Sequence, residues 1–386
     1  MTFAPTLRRP LIFVTLAALP CLAAFACSGP ADLRTLDEPV KKAVHDAGKK
    51  DSGPKDAGDV DAADHAACND YAAVICAKLD SCTGNVNVAE NYSSSEECIA
   101  REALSCVASL QAPDNAASAA GIERCGAGIV AGSCGDFFDH TNLPSSCVAR
   151  PGPRANGAAC AFNGQCASTW CYLASSATCG VCTTRPEAGA PCAASGDCGG
   201  QSLHCSTSIM ACEPVGAPGS VCDATHLCPY EESCVVPDGG TSGLCTVRGA
   251  LGSACDAKLT KAPLCANDFG YFCPSATDIC APVTVAYTDQ TCGILAGVTV
   301  NGVKGPSHSL ICYGGTDCFP TTTSTGFCTP PAADGQPCDA VLGPSCENPA
   351  RCVPSNDAST AGTCLIIGVG VDECSPPSAP SAVGDD

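Results

Sequence analysis

The chain has 386 residues, 36 of them cysteine, and a formal net charge of −20 at pH 7. Aromatic residues supply only 5 %, which excludes one large apolar core and leaves disulfides as the expected substitute. No region carries the basic stripe that nucleic acid or an anionic lipid surface would demand, so neither is an expected partner.

The N-terminus has the pattern of an export signal over residues 1–26. Arg8 and Arg9 give a basic start, LIFVTLAAL (11–19) an apolar stretch, and Ala24-Phe25-Ala26 a small-x-small cleavage pattern. The apolar run from Leu11 to Ala26 contains Pro20 and is short for a span that needs roughly 20 residues. LIIGVGV (365–371) is shorter still. Cleavage before Cys27 would leave that cysteine at the N-terminus. The segment LAAFAC (22–27) resembles a bacterial lipobox, which implies a lipid-anchored Cys27. Ordinary signal cleavage at the same bond is the alternative. Parity favours the lipid: Cys21 leaves with the signal, and 34 cysteines remain from Cys68 onward, an even set.

Residues 28–67 hold no aromatic residue and little apolar surface, so 27–67 is expected to be a lipidated cysteine followed by a disordered Asp/Ala/Gly/Lys tether. Asp56, Asp59, Asp61 and Asp64 lack the glycine and terminal glutamate of a calcium loop.

Residues 68–147 have helical periodicity. Tyr71, Ile75 and Leu79 recur every four residues beside Cys68 and Cys76, with Cys82 following. Ser94-Ser95-Glu96-Glu97 forms a capping box ahead of a helix that carries Cys98 and Cys106. SAAGIERCGAGIVAGSC suggests a third helix despite four glycines. Cys125, Cys134 and Cys147 complete a helical domain with eight cysteines. If the first two helices form a hairpin, Cys82–Cys98 and Cys76–Cys106 are the expected bridges.

From residue 148 to 364 the pattern becomes a repeat. NGAAC (156–160), AGAPC (188–192), PGSVC (218–222), LGSAC (251–255) and DGQPC (334–338) open five units, and another opens at Cys292 without the glycine. Gly157, Gly189, Gly219, Gly252 and Gly335 stand where a turn with φ > 0 would be useful. Each unit has four cysteines: Cys160, Cys166, Cys171 and Cys179; Cys192, Cys198, Cys205 and Cys212; Cys222, Cys228, Cys234 and Cys245; Cys255, Cys265, Cys273 and Cys280; Cys292, Cys312, Cys318 and Cys328; Cys338, Cys346, Cys352 and Cys364. Cys182 and Cys374 fall outside this tally, as partners of each other or as members of variant units; a tail follows over 365–386. The fold class expected is small and disulfide-rich: a stapled α-helical domain, then tandem four-cysteine hairpin repeats with little hydrophobic core. The units should be joined bead to bead into an elongated monomer.

The run CAFNGQCASTWCYLASSATCGVC, with Cys192, Cys198, Cys205 and Cys212 beyond it, resembles the N-terminal cysteine-rich domain of Dickkopf proteins over residues 160–212. The resemblance implies a disulfide fold and, in that family, extracellular antagonism of Wnt signalling. This chain lacks the family's adjacent cysteine pair, and its leader and tether look bacterial, so the fold carries over and the signalling does not. The whole layout is similar to cysteine-rich lipoproteins of Gram-negative bacteria, which implies an outer-membrane or cell-surface location.

No catalytic constellation is evident, and no cofactor or metal site is expected. GVTVNGVKG (297–305) has Val303 where a P-loop needs lysine, and GAGIVAG (126–132) fits close helix packing better than a dinucleotide loop. Cys179-Gly180-Val181-Cys182 lacks the βαβ setting of a redox site. His140, beside Phe137 and Phe138, suits local packing, and Trp170 suits cover for a disulfide more than an exposed anchor. The expected function is a non-catalytic surface module that binds a protein or glycan; a protease inhibitor or toxin-like effector is the alternative.

Overall fold

Alanine, the best helix former, dominates the sequence just before Cys68, and Asp59 sits where the N-terminal end of a helix favours negative charge. In the computed structural model the first helix, α1, therefore spans Ala57–Thr83. The tether expected over 28–67 is shorter than its composition indicated: residues 57–67 are helical, and Ala67 and Cys68 are already buried. The chain divides into two units, Met1–Pro54 and Lys55–Asp386. The structure describes residues 57–374 except 85, 174–176, 193–197, 199–201, 207, 224, 259, 296–298, 301–302, 305–307, 321–324, 340, 355–358 and 369–373. The export signal, Cys27 and the tether to residue 56 lie outside the described residues.

A short helix α2 (Val86–Asn91) follows, then α3 (Ser95–Gln111), α4 (Ala119–Ala131) and α5 (Cys134–Phe138). Ser94 caps α3 as expected, its hydroxyl accepting from the Glu97 N–H at 3.1 Å, while Glu97 reaches back to the Ser93 N–H at 2.6 Å. The glycines of α4 serve close approach. A Cβ on Gly126 would rest against Tyr71 of α1, and one on Gly128 would collide with Pro144. Lys78 of α1 donates to the carbonyl of Gly132 at the end of α4. These helices form a hub.

The hub is stapled by Cys68–Cys106, Cys76–Cys98, Cys82–Cys134 and Cys125–Cys147. This overturns the Cys82–Cys98 and Cys76–Cys106 pairing. Cys68 and Cys76 are eight residues apart on α1, as are Cys98 and Cys106 on α3. Two antiparallel helices can bridge both pairs in one register only when those spacings match. Because α2 lies between the helices, Cys82 overhangs the hairpin and meets Cys134 at the start of α5 instead.

Each repeat pairs its first cysteine with its third and its second with its fourth: Cys160–Cys171 and Cys166–Cys182 in repeat 1, through to Cys338–Cys352 and Cys346–Cys364 in repeat 6. Cys182 is thus the fourth cysteine of repeat 1, and the supernumerary bond is Cys179–Cys374, spanning 195 residues. Cys179 had looked like the fourth member because its gap from Cys171 is shorter. Repeats 1, 3 and 6 are three-stranded antiparallel sheets with the last strand central: Gly180–Cys182, Ser242–Val247 and Ala361–Leu365. Repeats 2 and 4 keep two-stranded ladders, and repeat 5 joins a five-stranded sheet in which Thr284–Ala286 runs parallel to His308–Cys312.

The elongated arrangement is not what forms. All six repeats touch the hub, and the second unit of the chain is one compact body. Gln165 of repeat 1 donates to the Pro113 carbonyl at 2.7 Å, and Ser202 of repeat 2 to the Asp139 carbonyl at 3.2 Å. Tyr230 of repeat 3 stacks on Phe138 at 4.0 Å, and Phe269 and Gly270 of repeat 4 lie beside Gly84 and Val86. Gly314 of repeat 5 donates to the Ala89 carbonyl, and Arg101 of α3 holds Asp334 and the Glu347 and Asn348 carbonyls of repeat 6.

Candidate interaction surface

A turn opens every repeat. The N–H of Ala158 bonds to the carbonyl of Ala155, and the same i→i+3 bond recurs at Ala190, Ser220, Ser253, Gln290 and Gln336. The third residue of each turn takes the left-handed conformation: Gly157, Gly189, Gly219, Gly252 and Gly335, with φ between +73° and +89°. In repeat 5 that place belongs to Asp289, φ +63°, which is why its motif had no glycine. The fourth residue of the turn, whose N–H closes it, also accepts at its carbonyl the N–H of the fourth cysteine.

A second glycine position went unnoticed in the sequence. Gly180, Gly243 and Gly362, two residues before the fourth cysteine, sit where a Cβ would collide with the carbonyl oxygens of Tyr172, Val235 and Val353 on the neighbouring strand. Each faces the first cysteine of its repeat: Cys160, Cys222 and Cys338. The signal was its fixed offset from the last cysteine in repeats 1, 3, 5 and 6.

The residue just before the fourth cysteine points its side chain away from the cystines, since neighbours on a strand face opposite sides. It is Val181, Ala211, Leu244, Ile279, Phe327 and Thr363 in the six repeats, and in each it lies opposite the residue before the first cysteine. Four of the six are large and apolar, and they stay in solvent: Val181 is 43 % exposed, Leu244 53 %, Ile279 47 % and Phe327 48 %. The inward face holds the buried cystines; the outward face carries a repeated apolar knob.

Where hub and repeat 3 meet there is a groove of about 500 Å³. Asp136 in the first turn of α5 and its C-cap Asp139 line it from the hub, and Glu231 and Glu232 from repeat 3. Asp136 accepts from Ser133, Thr141 and Asn142, which holds its carboxyl down at about 2. Burial pushes the Asp139 carboxyl up, although the Tyr230 N–H donates to it at 2.8 Å. A smaller cleft of about 280 Å³ lies between the hub and repeat 1, lined in part by Tyr71, Ile122, Phe162 and Arg150.

The 34 cysteines from Cys68 to Cys374 are all joined, in 17 bridges. Sulfur triplets such as Cys160, Cys166 and Cys182 lie within 4.8 Å of one another, but atoms already in cystines offer no thiolate to a metal. The two halves of Cys179-Gly180-Val181-Cys182 go to different partners, Cys374 and Cys166. GAGIVAG lies within α4 and its C-cap, and within GVTVNGVKG Thr299–Val300 pairs with Val303–Lys304 as a hairpin. His140 is exposed, and Trp170 is half-buried under the Arg185 guanidinium at 5.1 Å.

Comparison with protein-family models, with curated proteins and with solved structures gives no match. The fold defines a class on its own terms: a disulfide-rich protein with a helical hub and six hairpin repeats. Its cystines mark it as exported or extracellular, since such bonds persist in oxidising compartments. No helix among the described residues is long and apolar enough to cross a membrane.

Proposed function

We propose that this chain is a non-catalytic binding protein held at the outer surface of a Gram-negative cell by a lipid on Cys27, with its repeats as the contact surface for a protein or glycan. The observation that carries this reading is the outward apolar knob, repeated at one position in four repeats. Solvent-exposed apolar groups at a fixed place in a stapled scaffold suit recognition, because little side-chain or backbone freedom remains to be lost on binding. The test combines Val181→Ser, Leu244→Ser, Ile279→Ser and Phe327→Ser in the full chain. The variant should keep its circular dichroism and all its cystines yet lose saturable binding of the labelled protein to cell envelopes. Undiminished binding would remove the reading. Intact mass of the native protein tests the anchor, with a diacyl adduct at Cys27 expected.

One observation favours the inhibitor alternative. Leu342, 78 % exposed, projects from a loop between Cys338 and Cys346, and Asp339 accepts from the N–H groups of both Val341 and Leu342 at 2.9 Å. A fixed loop with an apolar tip can occupy a protease pocket. Stoichiometric inhibition across a protease panel, lost in Leu342→Ser, would put this alternative first.

A further inference from the structure

Repeat 3 differs from its neighbours in charge. Between Cys222 and Cys245 it has Asp223, Glu231, Glu232 and Asp238 and no lysine or arginine, whereas repeat 1 has no charged residue between Cys160 and Cys182. No other repeat exceeds a net −2 between its first and fourth cysteines. The hub adds Asp136 and Asp139 to the lining of the groove that Glu231 and Glu232 also line. The adjacent base, Arg248, is engaged elsewhere: it bonds Asp268 at 2.7 Å and lies over the Tyr230 ring at 4.8 Å.

The groove also has an apolar part. Val215, Pro218, Pro229 and Val247 line it, and Val247 is 68 % exposed at the end of the central strand. Repeat 3 also departs from the common turn. In the other five repeats the N–H of the left-handed residue bonds to the carbonyl of the fourth cysteine; here the Gly219 N–H goes to the Glu232 carboxylate at 2.9 Å. That bond fixes Glu232 in the groove lining, as Ser133, Thr141 and Asn142 fix Asp136 on the hub side.

We propose that this groove docks a segment of a partner protein in which lysine or arginine alternates with apolar side chains. The cationic heads would meet the four carboxylates, while the aliphatic stems and apolar neighbours lie on Val215, Pro218, Pro229 and Val247. A divalent cation fits less well. Calcium takes roughly six to eight oxygens, and those of Asp136 and one from Glu232 already accept protein hydrogen bonds. The apolar wall would also go unused. An anionic membrane surface is repelled. The proposal rests on reading the chain as a binding module, but it names a site separate from the apolar knobs.

The experiment titrates the full chain with a fluorescein-labelled peptide that alternates lysine with valine, beside glutamate–valine and lysine–serine counterparts. Saturable binding is expected for the lysine–valine peptide alone. Glu231→Gln with Glu232→Gln keeps the acceptor for Gly219 and should weaken binding about tenfold or more by removing two of the four charges. Val247→Ser should weaken it several-fold, and raising salt from about 50 mM to about 500 mM should do so as well. Equal binding of the glutamate peptide, an unchanged affinity in the double glutamine variant, or stoichiometric displacement by calcium would each overturn the proposal. The variant lacking the four knobs separates the two ideas: it should still take the peptide, and if envelope binding survives in it while the peptide binds, only the knob reading falls.

Discussion

The hub and the repeats use the same covalent bond for different ends. In the hub, helices satisfy their own backbone groups, and apolar side chains form clusters: Val88 and Tyr92 with Leu79 and Ile99, and Val107 with Tyr71, Leu110 and Ile122. Its bridges join residues 22 to 52 apart and set how the helices align. In repeat 1 the buried cluster consists of Cys160, Cys166, Cys171 and Cys182 and nothing else. The strands there are two or three residues long, too short to persist without other support. A cystine in the hub fixes register within a core; in a repeat it makes up most of the core, joined at most by a few apolar side chains such as Ala286 or Ile366.

That contrast can be broken most directly by deleting one bridge from each region. Cys222 and Cys234 are 12 positions apart in the sequence, Cys76 and Cys98 are 22. The chain-entropy cost of losing either is about 3 kcal/mol, so the loops alone predict similar effects. The structure predicts different ones. Cys222→Ala with Cys234→Ala should melt repeat 3, with amide protection lost over residues 221–247 while α1 and α3 stay protected. Cys76→Ala with Cys98→Ala should lower the melting temperature but leave the helical circular dichroism and a protected hub. Equal, global loss of protection in both variants would show that the two regions do not differ in this way.

Much of this contrast was legible in the sequence and part was not. The cysteine spacing showed the repeat, and the glycine three residues before the first cysteine in five of the six showed its left-handed turn. The Ser94 cap and the four-residue recurrence of Tyr71, Ile75 and Leu79 showed helices. The bridges within the hub were misassigned although the matching eight-residue spacings were visible, because α2 was not foreseen between the helices. Wrapping of the repeats about the hub had no local signature. It depends on single residues far apart in the chain, such as Arg101 with Asp334 and Tyr230 with Phe138, whose meaning appears only when both ends are placed. The knobs were missed for a related reason: Val181, Leu244, Ile279 and Phe327 look like ordinary strand residues until their shared offset from the fourth cysteine is combined with which face is buried.

The joint between the two regions offers a second, smaller test. The Arg101 side chain is largely buried, forks onto Asp334 at 2.6 and 2.8 Å, and donates to the carbonyls of Asn348 and Glu347. Arg101→Met keeps the bulk and removes every donor. Asp334 is solvated enough to adapt, so the cost comes mainly from the carbonyls left without partners, about 2 kcal/mol. Faster amide exchange should be confined to repeat 6 and the adjoining turn of α3, with both repeat-6 bridges intact by mass. A change spread through repeats 2 to 4 would mean that the joint couples the repeats as a set and not one of them.

The smallest expected effect separates hub from repeat by pH. Asp136 at the start of α5 is held down at about 2, chiefly by the hydroxyl of Ser133 and the amide of Asn142. Asp256 in repeat 4 is held at about 2 by the Thr260 hydroxyl and the Lys258 and Thr260 N–H groups. Both folded values lie below the ordinary aspartate value of about 3.9. Each group's stabilising contribution is therefore fully present above pH 4 and is lost as pH falls toward 2, where the folded carboxylate finally takes its proton. Both groups stay in contact with solvent, which screens the effect, so the slope should be shallow. Asp136→Asn should flatten the acid limb of stability read from hub amides, and Asp256→Asn that read from repeat 4, each without altering the other. If Asp136→Asn flattened both limbs, acid would be loosening hub and repeat as one cooperative body. The cystines would then be fixing register in both regions, and the distinction between them would rest on helix and strand alone.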